Sequence, residues 1–335
     1  MRHNHKLASG VSPEVKSTAR TTHSQTANGT RPLNRVNTDP QGAPTSNHGL
    51  FFRLQQYALL VRLHKPIGIL LLLWPTLWAL WIAADGFPGW TLFLVFFTGT
   101  VLMRSAGCAM NDYADQHIDR HVSRTRERPL TSGRISAAEA VGVAIVLAFC
   151  AFLLLFLTNY TTLLMSIVAL ALATIYPFSK RFTHLPQLFL GAAFSWGIPM
   201  AYTATETPLD KTTWLLFIAS VLWALAYDTM YAMVDRKDDL KIGVKSSAIL
   251  FGEADVPIIV TTQLMMLATL ALVGQQEGLS QYYFGGLLLA LCLAVYQFFL
   301  IRNRAPSKCF DAFLNNNYFG MVVFAGIFLH YANAA

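Results

Sequence analysis

Charge is scarce in this chain. Only 13% of its 335 residues are Asp, Glu, Lys or Arg, against 54% hydrophobic, and the mean hydropathy is +0.43. That excludes an ordinary soluble domain and points to a polytopic membrane protein. Cysteine is scarce too. Cys108, Cys150, Cys292 and Cys309 are scattered without C-x-x-C spacing, so they suit neither a zinc site nor a disulfide framework and read as small apolar residues. No P-loop, G-x-S-x-G or G-x-G-x-x-G occurs in a credible context. The net charge of +7 might suggest nucleic acid as a partner, but the placement of the basic residues denies it. No apolar run lies near Met1, so no cleavable signal peptide is expected.

Residues 1–50 lack apolar runs altogether. They are rich in Ser, Thr, Asn and His, are broken by Pro13, Pro32, Pro40 and Pro44, and carry six basic residues against Glu14 and Asp39. Such a segment cannot offset the entropy cost of folding and is expected to be disordered. A mitochondrial transit peptide would show an amphipathic Arg-rich helix, which is absent. A cytoplasmic tail on a protein of the bacterial inner membrane is therefore the expectation, with the mitochondrial inner membrane as the alternative. Residues 51–335 then form one transmembrane domain.

Spanning a bilayer takes roughly 20 mostly apolar residues. Runs of that kind lie at about 67–84, 90–110, 138–157, 161–177, 188–204, 213–234, 257–273, 282–301 and 318–332, so nine transmembrane helices are expected. Basic residues in the connections alternate cleanly. Seventeen lie before span 1 or after spans 2, 4, 6 and 8, whereas Lys211 stands alone on the other side. By the positive-inside rule the N-terminus is cytoplasmic. Trp74, Trp78, Trp81 and Trp90 fall within or near the ends of spans 1 and 2, where interfacial anchoring and packing are expected. Leu54–Leu63 reads as a short amphipathic segment on the inner surface.

Carboxylates, few as they are, concentrate. Seven of the eighteen acidic residues lie in Asn111–Asp119 and Asp228–Asp239, each closing an even-numbered span and so on the same side. Asn111, Asp115 and Asp119 are spaced i, i+4, i+8 and would form one stripe on a continuous helix. Asp228, Tyr231, Asp235 and Asp239 form another. One such cluster could be a solvated turn or a set of Arg partners. Two facing stripes suit Mg²⁺, which binds through one or two carboxylates plus substrate phosphates. Arg62, Lys65, Arg126, Arg128, Lys180 and Arg181 are candidate phosphate donors, each alone explicable as a topology marker. Arg126–Arg134 reads as an ordered loop, and Ser136 with Glu139 as a capping box opening span 3. His117 and His121 form an i, i+4 pair without an evident third metal ligand.

Several segments together resemble the UbiA superfamily of intramembrane prenyltransferases. They are Lys65-Pro66-Ile67-Gly68, Trp74-Pro75-Thr76-Leu77-Trp78, Arg104-Ser105-Ala106-Gly107-Cys108 leading into Asn111-Asp112-Tyr113-Ala114-Asp115, and Arg128-Pro129-Leu130. Tyr176-Pro177-Phe178, Leu185-Pro186-Gln187, Tyr227-Asp228, Lys241-Ile242-Gly243 and Asn315-Asn316-Asn317-Tyr318 complete the set. Within the superfamily the chain is similar to the 4-hydroxybenzoate polyprenyltransferases of ubiquinone biosynthesis. The resemblance covers about 51–332. It implies an all-α fold of nine helices around a central cavity open to lipid, and Mg²⁺-dependent prenyl transfer. Polyprenyl diphosphate and 4-hydroxybenzoate would be the substrates, with membrane lipid around them and neither nucleic acid nor an obligate protein partner. It assigns Asn111, Asp115, Asp119, Asp235 and Asp239 to metal and Asp115, Asp235 and Asp228 to catalysis. It maps a phosphate-binding arginine onto Arg181, and Asn111, Lys180, Arg128, Arg62 and Tyr231, beside the two stripes, are the further expected substrate contacts. Two rivals stay open: a sister enzyme with a naphthoate, homogentisate, haem or chlorophyll acceptor, and a cation-coupled transporter, whose site would sit nearer the bilayer midplane.

Overall fold

A computed structural model describes residues 49–120, 125–243 and 245–334. Residues 1–48, where the sequence predicts a disordered tail, lie outside that set. The described chain is helical, in the order α1 (Leu50–Leu60), α2 (Ile67–Ala83), α3 (Trp90–Ala114), α4 (Gln116–Asp119), α5 (Ala137–Leu154), α6 (Tyr160–Ile175), α7 (Pro186–Ser195), α8 (Gly197–Ala204), α9 (Lys211–Ile242), α10 (Ser247–Phe251), α11 (Asp255–Gln276), α12 (Gln281–Ile301) and α13 (Pro306–Ala334). Short 3₁₀ turns join some of them, including Tyr176–Arg181.

Local chemistry sets the helix ends. Ser136 Oγ accepts the Glu139 N–H while Glu139 Oε2 accepts the Ser136 N–H, the expected capping box at the start of α5. Asp210 and Thr213 build a second box on α9, and Gly243 ends that helix in the left-handed conformation at φ +71°.

Among the described residues, seven helices are long and apolar enough to cross a bilayer, counting α5 and α6 with their 3₁₀ ends and α11 with the α10 turn before it. The other two expected spans differ. Span 1 is α2, only 17 residues long. Span 5 is split into α7 and α8 at Trp196. Pro199 has no N–H to return to Ser195, which interrupts the helical ladder there. Gly197 lets this break press against α2, since a Cβ would lie 2.7 Å from Thr76 Oγ1.

The main core joins α2, α3, α8, α9, α11, α12 and α13. Trp74, Trp78 and Trp81 face this core rather than an interface. Trp78 is fully buried, stacks on Trp223 at 5.3 Å, and donates to the Gly320 carbonyl. Trp90 remains exposed. Apolar helices have little hydrophobic reason to associate inside lipid, so polar bonds and close backbone approach help hold the bundle. The asparagine run on α13 supplies them in three directions. Asn315 accepts from Gln297 of α12, Asn316 from Trp223 of α9, and Asn317 from Trp74 of α2.

Candidate active site

A cavity of about 1610 Å³ opens among α2, α3, α5, α6, α7, α9 and α13. Its wide apolar part includes Phe96, Phe149, Phe152, Leu170 and Phe194. Ile145 and Phe149 of α5 and Ile167 and Leu170 of α6 line it and are exposed. Its charged end gathers Asn111, Asp112, Asp115, Asp119, Asp228, Tyr231, Asp235 and Asp239 with Arg62, Lys65, Arg128 and Lys245. The two acidic clusters therefore share one chamber.

The second cluster sits as expected on the single helix α9. The first does not occupy one continuous helix. α3 ends at Ala114, Asp115 lies at the junction, and α4 resumes at Gln116, with the Asp119 N–H returning to the Asp115 carbonyl at 2.8 Å. Asn111 still donates to Asp115 Oδ2 at 3.2 Å, so these two keep a common face. Asp119 is turned towards the following loop, where Arg128 reaches its Oδ2 at 2.6 Å.

Asp112 was quoted in the sequence motif without a role, and the structure supplies one. It is 1% exposed, and its Oδ1 takes Arg62 at 2.6 Å and Arg128 at 2.9 Å. Both guanidiniums line the cavity, so this carboxylate holds two cations at its charged end. Burial works against the charge of Arg62, but Asp112, together with Cys108 and Tyr231, holds the guanidinium above its usual range. The Arg62 backbone is at φ +59°, a left-handed conformation rare for a residue with a Cβ. Burial raises the Asp119 carboxyl above the ordinary range; Arg128 opposes the rise, while Asp115 and Asp112 add to it.

Arg181 is placed differently from the sequence expectation. It is exposed, does not line the cavity, packs over Phe178 at 5.1 Å, and donates to the Ala114 carbonyl at 3.1 Å. There it caps the last turn of α3 beside Asp115, which suits a cation at a helix C-terminus. The side chain of Lys180 lies outside the described set, as does His121. Arg126 is exposed, with Glu127 at 3.8 Å. Arg104, deep on α3, also lines the cavity. Its guanidinium lies over Gly68, where a Cβ would come within 2.4 Å of Nε, a closeness that only glycine permits.

The donor set suits a hard cation. Every candidate ligand offers oxygen, and Asn111 Oδ1 is buried with no hydrogen-bond partner. Among the described residues no three His, Cys, Asp or Glu side chains converge into a ready protein-only site. Mg²⁺ characteristically completes its shell with water and substrate phosphates.

Residues 72–323 match the UbiA prenyltransferase family. A 4-hydroxybenzoate octaprenyltransferase of Marinobacter nauticus is 54% identical over 290 residues, covering 86% of this chain and 98% of the relative. One from Coxiella burnetii is 51% identical over 281 residues, covering 84% and 98%. Among solved structures, the apo form of a UbiA homolog from Aeropyrum pernix has a TM-score of 0.69 at 25% identity, covering 78% of this chain and 97% of that one. A UbiA homolog from Archaeoglobus fulgidus bound to GPP and Mg²⁺ has a TM-score of 0.64 at 16% identity, over 80% and 99%, a likeness of fold. With the family's match spanning most of the helical bundle and relatives more than half identical along nearly their whole length, this chain belongs to the UbiA prenyltransferase family.

Proposed function

We infer that this protein transfers a polyprenyl group from polyprenyl diphosphate to the ring carbon of 4-hydroxybenzoate ortho to its hydroxyl, a membrane step of ubiquinone biosynthesis. One observation carries the reading: carboxylates from α3–α4 and from α9 line one cavity whose remaining walls are largely apolar. The substrate has that same polarity, a diphosphate head on a long hydrocarbon tail. The Marinobacter and Coxiella relatives support the choice of acceptor.

Asn111, Asp115, Asp119, Asp235 and Asp239 would hold Mg²⁺ together with the diphosphate. The bound cation would supply charge neutralisation to the departing diphosphate. Arg62 and Arg128, already held by Asp112, offer forked donors to phosphate oxygens. Arg181, with Lys180 before it, would act on the head group from the capped end of α3. The allylic C–O bond breaks with its electron pair leaving on the diphosphate, and the acceptor's ring carbon forms the new C–C bond. Tyr231, packed on Phe313 at 4.7 Å, walls the space between head group and acceptor. Asp228, two turns deeper along α9 than Asp235, offers a carboxylate to take the ring proton. The apolar walls keep water from the allylic cation. The basic connections support a cytoplasmic charged end, and the bacterial relatives support a bacterial inner membrane.

The test is an assay in membranes or detergent with 4-hydroxybenzoate, a polyprenyl diphosphate and Mg²⁺. Product should form and should vanish on addition of EDTA. Full turnover in EDTA would remove the metal from the reading. Turnover with a naphthoate or homogentisate, but none with 4-hydroxybenzoate, would replace the acceptor.

A further inference from the structure

The acidic face of α9 extends past the part of the helix that apolar packing secures. Met230 and Met233 are buried against Val256 and Ile259 of α11 and Cys309 and Ala312 of α13. After Val234 come Asp235, Arg236, Lys237, Asp238 and Asp239, and the next apolar residue, Leu240, is 61% exposed. The two carboxylates assigned to the metal thus stand on turns that the hydrophobic core does not hold.

An ion pair takes over there. Successive helix residues point about 100° apart, so Arg236 faces away from Asp235 and towards α11. Its Nη1 lies 3.2 Å from Oδ2 of Asp255, a carboxylate with no exposure at all. Asp255 opens α11, and its Oδ1 accepts the Val256 N–H at 2.7 Å, a favourable place for negative charge. The same Oδ1 takes Arg304 Nε at 2.8 Å from the turn between α12 and α13, where Arg304 is held at φ +52° and also donates to the Glu253 carbonyl. One buried carboxylate therefore ties the end of α9 to the start of α11 and to the turn that launches α13. The first turns of α13 carry Phe310 and Phe313 into the cavity wall.

We propose that Asp255 is a positioning residue for Asp235 and Asp239, acting through Arg236 to fix the rotation of α9 at its charged end. It lies outside the cavity lining and outside both acidic clusters, so its effect must reach the site through the helix. The inference rests on the metal-clamp reading above.

The full-length protein, Asp255→Asn and Arg236→Gln separate the outcomes. Asparagine keeps an oxygen for the Val256 N–H and withdraws the charge from both arginines. Arg236→Gln frees α9 alone and leaves the Asp255–Arg304 pair in place. Mn²⁺ binding in the presence of inorganic pyrophosphate is followed by the EPR signal of free Mn²⁺, beside the Mg²⁺ dependence of turnover and the KM for 4-hydroxybenzoate. Both variants should need about tenfold more metal for half-saturation, the scale seen when a partner outside the metal shell is lost, with the acceptor KM within about twofold. A well-folded Arg236→Gln protein with unchanged metal binding would overturn the proposal, and it carries the test alone if Asp255→Asn does not accumulate. If the unmodified protein neither binds metal with pyrophosphate nor requires it for turnover, the clamp itself falls and this inference with it.

Discussion

Asp112 and Asp115 are neighbours on one helical turn, both buried, yet their surroundings give them different work. Asp112 takes two guanidiniums on its Oδ1, and Asp115 accepts from the amide of Asn111. Among the carboxylates proposed to hold metal, Asp115 lines the cavity from this side and Asp235 from the other. Asparagine at either position keeps the shape and removes the charge. Asp115→Asn and Asp235→Asn should each lower turnover about 100-fold, the scale of losing a charge-stabilising group, with normal amounts of protein in the membrane. Near-normal turnover in either variant would return that residue to an ordinary polar surface role.

At the scale of elements, α12 and α13 show how little room this bundle leaves. A Cβ on Gly286 would sit 2.7 Å from the Val322 carbonyl oxygen, a backbone atom that cannot swing aside, and one on Gly326 would lie 3.0 Å from the Tyr282 carbonyl. Adjacent Gly285 faces open space. Gly286→Ala should therefore force the two helices apart and destabilise the protein by about 1–3 kcal/mol, the usual cost of overpacking. Gly285→Ala should be neutral or slightly stabilising, because alanine is the better helix former. Thermal midpoints in detergent check the pair, and equal midpoints would mean that the α12–α13 contact is looser than it looks. The same close approach keeps α13 beside α2 and α9, where its three asparagines bond and its first turns wall the cavity.

For the whole molecule, the described residues that line the cavity run from Leu59 to Tyr318. Residues 1–48 belong to the segment whose composition predicts a disordered tail. A protein lacking them should retain turnover and the same Mg²⁺ dependence, measured per folded molecule. Loss of activity in a well-folded truncation would assign the tail a part in the reaction. The cavity's division into a charged end and an apolar end is itself a whole-molecule property, assembled from α2–α7, α9 and α13.

Local order along the chain determined a good deal. Apolar run length announced a helical membrane protein. The cap at Ser136 marks a helix start, and the Asp228–Asp239 stripe lies on one face of α9 because residues a few positions apart on a helix share a side whatever surrounds them. Which polar groups pair was beyond such reasoning. Arg62 reaches Asp112 across 50 positions, Arg181 reaches Ala114 across 67, and Trp223 reaches Asn316 across 93. The split of α7 from α8, the bend at Asp115 and the inward turn of Trp74, Trp78 and Trp81 likewise depend on neighbours distant in the chain. Hydrophobicity and helical period are carried by each segment alone. The partner of a buried charge is chosen only when packing brings two segments within hydrogen-bond reach and removes the water that would otherwise serve both.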